Sequence, residues 1–94
     1  MIKHVYLYKL KADAHPDEVV QKLLTLRERI PQMAHMEVGL NFKPAANAYD
    51  LIESCEFRTM EDFRIFGADA YHEEIRQYMK TVVEHGVKID YEME

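Results

Sequence analysis

The stretch FGADAYHEEI (Phe66 to Ile75) places a histidine, His72, three residues after Asp69 and directly before Glu73 and Glu74. If Asp69 caps a helix, His72 falls at its third position, inside the positive end of the helix dipole. That field and partial burial both disfavour the imidazolium, leaving a neutral ring that can accept a proton near neutral pH. Ile75, Tyr78, Met79, Val82 and Val83 continue an apolar stripe at helical spacing, and the phase of that stripe turns His72 toward the sheet. Two readings stand: a general base, or a structural histidine that bonds to a strand and fills space. A second histidine, His4, alternates with Tyr6 and Tyr8 on one face of its segment, where buried phenol hydroxyls would need partners.

The remaining reactive residue types point to less. His4, His72 and Glu53 are suitable metal-ligand types, but no pair has a recognised spacing such as H-x-x-x-H, so no metal is expected. No cofactor is expected either. Cys55 has no basic neighbour in sequence and reads as a core filler rather than a nucleophile. His15 and His35 fall at loop edges and His85 near a helix end, and none of them reads as catalytic.

The elements that must position these residues follow from pattern. IKHVYLYKL (Ile2 to Leu10) is a strand with Ile2, His4, Tyr6, Tyr8 and Leu10 on one face and Lys3, Val5, Leu7 and Lys9 on the other. Both faces are apolar in the middle, as in a strand covered on both sides. HPDEVVQKLLTLRERI is a helix, with Pro16 at its first position, Asp17 and Glu18 at the positive end, Arg27 and Arg29 at the negative end, and Pro31 to stop it. MEVGLNF (Met36 to Phe42) is a second strand in which Gly39 marks a bulge, and Tyr49 to Phe57 is a third. Thr59 caps a short helix that Gly67 breaks; a further helix runs from about Ala70 to Glu84, ended by Gly86, and Val87 to Glu92 is the last strand.

Strand, helix, strand, strand, helix pair, strand is the ferredoxin-like α+β order: a four-stranded antiparallel sheet with helices on one face. Val5, Leu7, Ile52, Val87, Ile89 and Tyr91 then lie on the uncovered face, a larger apolar patch than a monomer exposes. A second copy stacked sheet to sheet removes it, so a homodimer is expected.

Composition agrees with one ordinary globular domain over residues 1–94: 48% of residues are hydrophobic, 31% charged, and three are prolines. The net charge of -5 argues against a nucleic-acid partner. No apolar run reaches membrane-spanning length, and Met1 leads straight into a strand pattern, so neither a membrane span nor a leader is expected. A single cysteine excludes an internal disulfide and fits a reducing compartment, so the location expected is cytoplasmic.

MIKHVYLYKLK at the start, EVGLN at Glu37 to Asn41, YDL…EF at Tyr49 to Phe57, YHEE at Tyr71 to Glu74 and KIDYE at the end stand in an order that resembles the stress-responsive A/B barrel (Dabb) family. The resemblance covers nearly the whole chain and implies a dimeric α+β barrel. It extends distantly to a plant olivetolic acid cyclase, which closes a polyketide ring by aldol chemistry in a pocket between sheet and helices. By that resemblance His72 matches the proposed base, His4 the first-strand histidine and Asp90 the last-strand aspartate. The helper tyrosine six residues before the base is replaced by Phe66, and the family's His-Pro-x-His is here Asp69-Ala70-Tyr71-His72.

Family register further places Leu51, Glu53, Cys55, Lys88 and Asp90 on the face of His4, Tyr6 and Tyr8. The implied pocket therefore holds His72 and His4 as catalytic candidates, lined by Tyr6, Tyr8, Glu53, Phe66, Lys88 and Asp90. It suits a small polar or aromatic ligand better than an alkyl chain. The alternative is a cavity closed by its own tyrosines and a Glu53–Lys88 salt bridge. Three functions remain open: His-based proton transfer on a carbonyl compound, of aldol, lyase or isomerase type; a non-catalytic, stress-responsive structural or ligand-binding dimer; and a cofactor-free monooxygenase, a chemistry found in a related family.

Overall fold

A computed structural model describes all 94 residues. The first strand, β1 (Ile2–Leu10), is followed by helix α1 (Pro16–Arg29), strands β2 (Met33–Leu40) and β3 (Leu51–Phe57), helices α2 (Met60–Ala68) and α3 (Ala70–Val82), and strand β4 (Val83–Glu92). The four strands form one antiparallel sheet in the order β2-β3-β1-β4. This is the ferredoxin-like arrangement, with β1 and β3 central and the helices on one face.

Local chemistry accounts for the elements. Pro16 opens α1 where its missing N–H costs nothing, and the acidic and basic residues lie at the expected ends. Val19, Leu23 and Leu26 form its buried stripe, and these join the inward residues of β1, β2 and β3 in a core completed by Phe66, Ile75 and Met79. Thr59 caps α2 by accepting the Asp62 N–H at 3.1 Å, and Asp69 caps α3 by accepting the His72 N–H at 3.0 Å. The α2–α3 corner is held further by Arg76, which donates to the Gly67 carbonyl at 2.8 Å.

Three expectations need correction. Strand β2 starts three residues earlier and ends two residues earlier than its apolar pattern suggests. Its register shift lies between Met33 and His35, not at Gly39, which pairs regularly with Ile52. Gly67 does not break α2 but lies within its last turn.

The third correction matters most for the site. Helix α3 ends at Val82, and Val83 is already extended, so helix passes into strand without a loop. Gly86 is therefore a strand residue opposite Tyr8 and not a helix stop. A Cβ on Gly86 would lie 2.6 Å from Tyr6 Cε1 and 3.4 Å from Tyr8 Cδ1. The glycine is required because two tyrosine rings lie across β4 at this point.

The outer sheet face is apolar. Val5 and Leu7 are half-buried there, and Ile52, Val87, Ile89 and Tyr91 are exposed, Ile89 by 58%.

Gly86→Ala is expected to cost about 1–3 kcal/mol in urea unfolding through overpacking against Tyr6, and the same change in a Tyr6→Ala background is expected to cost much less. Equal costs in the two backgrounds would mean that ring contact is not what requires the glycine.

Candidate functional site

Between the sheet and helices α1, α2 and α3 lies a cavity of about 680 Å³, within the range of small-molecule sites. Every expected pocket residue lines it: His4, Tyr6, Tyr8, Glu53, Phe66, His72, Lys88 and Asp90. The strand contributors are brought together by register. His4 is paired across the sheet with Cys55 and Asp90, Tyr6 with Glu53 and Lys88, and Tyr8 with Leu51 and Gly86.

His72 is 9% exposed and faces the sheet. Its Nδ1 lies 2.9 Å from the Phe66 carbonyl oxygen. A carbonyl only accepts, so Nδ1 carries the hydrogen and Nε2 the lone pair. No protein group bonds to Nε2, and no fully buried side-chain nitrogen or oxygen lacks a partner, so Nε2 keeps accessible surface on a side chain that lines the cavity. The Phe66 ring stacks on the imidazole at 3.9 Å between centroids. Burial pushes the His72 pKa below its ordinary value of 6.5; the charges of Arg76 and His4 act in the same direction, against the Phe66 bond and Asp69. The neighbouring Tyr71 ties this end of α3 to α1 through a 2.6 Å hydrogen bond to Thr25.

His4 is 8% exposed, and its Nδ1 bonds Asp90 Oδ1. Partial burial pushes the Asp90 carboxyl up, but the bond and charge of His4, with Lys88 beside them, outweigh it and hold the group below its ordinary value. Asp90 is thus a carboxylate that orients the His4 ring through Nδ1. The Phe66 ring also packs edgewise against His4, at 5.8 Å, and so touches both histidines.

Tyr6 and Tyr8 stack 4.4 Å apart with their rings nearly parallel. Tyr8 donates to Glu53 Oε1 at 2.8 Å, and the Cys55 thiol approaches Glu53 Oε2 at 3.6 Å. Burial, with Glu53 nearby, pushes the Tyr8 phenol and the Cys55 thiol far up, so both stay protonated. The Glu53–Lys88 salt bridge of the alternative reading does not form. Glu53 is taken by Tyr8 instead, and Lys88 turns outward to Asp90 Oδ2 at 3.4 Å. No three of the His, Cys, Asp and Glu side chains converge as a metal-ligand set.

Sequence reasoning missed part of the wall. Arg76 and Lys80 line the cavity at one and two steps of four residues beyond His72, a spacing that could have been read as one helical stripe. His85 belongs to β4, not to a helix end, and stacks on Tyr49 at 6.0 Å beside the cavity.

Sheet order, helix placement and an inward-facing cavity define a ferredoxin-like α+β barrel protein. The chain belongs to the stress-responsive A/B barrel (Dabb) domain family, whose model matches residues 2–93. No curated protein matches it by sequence. Among solved structures it is similar to At3g17210 of Arabidopsis thaliana, at 21% identity and a TM-score of 0.88, covering 100% of this chain and 96% of that one. It is also similar to a hydroxynitrile lyase of Passiflora edulis, at 17% identity and 0.88, covering 99% and 93%. A dimeric ferredoxin-like protein of Thermobifida fusca matches at 20% identity and 0.84, covering 98% and 90%. No helix is long and apolar enough to cross a membrane.

Proposed function

We propose that the chain is a cofactor-independent enzyme of proton transfer, acting on a small carbonyl compound held in the sheet–helix cavity. One observation carries this reading: the Phe66 carbonyl holds His72 Nδ1–H, which leaves a basic Nε2 facing an open cavity. In the proposed step Nε2 removes a proton from the carbon beside the carbonyl, and the electron pair moves onto the carbonyl oxygen. His4 donates from Nε2 to that oxygen, and the positive charge this requires on its ring is stabilised by Asp90. Return of the proton at another atom gives isomerisation; carbon–carbon closure or cleavage gives the aldol or lyase outcome. A lyase among the fold relatives supports only the capacity of this architecture to host such chemistry.

The assembly we propose is a homodimer through the outer sheet face, working in the cytoplasm, where its one buried free cysteine stays reduced. The exposed apolar side chains of Ile52, Val87, Ile89 and Tyr91 support it.

The catalytic assignment is tested by exchange of the α-protons of acetophenone-type ketones into heavy water, followed by NMR. The expected result is enzyme-dependent exchange that His72→Ala lowers roughly hundredfold or more. Because only neutral His72 is basic and burial lowers its pKa, exchange should persist to lower pH than an ordinary histidine base would allow. Equal exchange by the variant would remove His72 from the role of base.

For the assembly, sedimentation is expected to give a dimer that Ile89→Asp converts to a folded monomer. A monomeric parent protein at micromolar concentration would refute it.

A further inference from the structure

The Tyr8–Glu53 pair has no part in the proton transfer just described, yet both side chains line the same cavity. Glu53 is 2% exposed and has no cation within salt-bridge distance. Each hydrogen in the group is already committed. The Tyr8 hydroxyl donates to Oε1, and the only other donor, the Cys55 thiol, is directed at Oε2 over a long 3.6 Å. A thiol is a weak donor, so the buried Glu53 side chain is left with most of its accepting capacity unused. Both Glu53 oxygens accept in these bonds, so the pair, which lines the cavity, has acceptors to offer and no hydrogen left to donate.

We propose that Tyr8 and Glu53 form a specificity-determining subsite for a hydroxyl group, so that the ligand is a neutral hydroxylated carbonyl compound. This rests on the proton-transfer reading for the carbonyl end, while the hydroxyl end stands on the geometry of the pair. An acceptor-only subsite demands a donor from the ligand. That donor could be carried on an ammonium or on a neutral hydroxyl, and the rest of the lining decides between them. Arg76, Lys80 and Lys88 balance Glu53, Glu84 and Asp90 around the cavity, so neither a cation nor an anion is favoured as a whole. Phe63, Phe66, Leu23 and Ile75 supply apolar wall for a carbon frame between the two polar ends. A ligand lacking the hydroxyl would bury Glu53 against carbon with nothing to replace the water it displaces, and sites of this kind discriminate strongly against such analogues.

The test uses three ketones as probes: 4-hydroxyacetophenone, 4-methoxyacetophenone and 4-(aminomethyl)acetophenone, titrated into the whole 94-residue chain by amide NMR at a pH where the phenol is neutral. The hydroxyl probe is expected to bind about tenfold or more tighter than the methoxy probe and tighter than the ammonium probe. Glu53→Gln, which replaces an acceptor by a donor, is expected to bring the hydroxyl and methoxy probes to parity, while His72→Ala keeps the preference. Should the Glu53 variant not fold, the amide shifts of Glu53 to Cys55 in the parent protein decide, since they must move with the hydroxyl probe and not with the methoxy probe. Equal binding of those two probes, tighter binding of the ammonium probe, a preference that survives Glu53→Gln, or unmoved Glu53 to Cys55 amides would overturn the subsite. Loss of exchange in His72→Ala with no hydroxyl preference would defeat the subsite alone. A hydroxyl preference without His72-dependent exchange would defeat the proton-transfer reading alone.

Discussion

A single hydrogen bond, from His72 Nδ1–H to the Phe66 carbonyl, sets the chemistry available to this cavity. It exists because the chain turns sharply at Asp69, which ends α2 and caps α3. The turn carries the carbonyl of Phe66 back over the first turn of the next helix. With the hydrogen fixed on Nδ1, the lone pair must sit on Nε2, on the cavity side. Burial then keeps the ring neutral to lower pH than a free imidazole.

The opposite wall depends on β1. Its inward residues His4, Tyr6 and Tyr8 are each held differently: His4 by the Asp90 carboxylate, Tyr8 by Glu53, and Tyr6 by stacking on Tyr8. Gly86 makes this arrangement possible by leaving room for the rings across β4. The tyrosines therefore form one side of the cavity without closing it. A sheet whose helix face lines a cavity still has an apolar back, and the dimeric relative from Thermobifida fusca shares this fold.

Much of the scaffold was legible because it rests on short-range pattern. The two-residue alternation of β1 put His4, Tyr6 and Tyr8 on the helix side, and the helical phase of Ile75 and Met79 turned His72 inward. Thr59 and Asp69 sit where caps belong, and both cap. What escaped the sequence was non-local. Glycine commonly ends helices, which points Gly86 to a helix end, whereas its real constraint is contact with Tyr6 and Tyr8 at the other end of the chain. The partner of Glu53 was similarly hidden, since Lys88 offers the right charge while Tyr8 offers the right reach. The role of Phe66 was the hardest to see: its side chain lacks the hydroxyl the family resemblance calls for, and its contribution to His72 comes from the backbone and the face of the ring.

The central claim concerns the placement of one hydrogen, and it can be measured directly. Long-range proton–nitrogen correlation NMR of the imidazole rings at neutral pH distinguishes the two neutral tautomers and the imidazolium. The expected result for His72 is a protonated Nδ1 and a bare Nε2. An Nε2–H tautomer, or a ring protonated at both nitrogens, would contradict it.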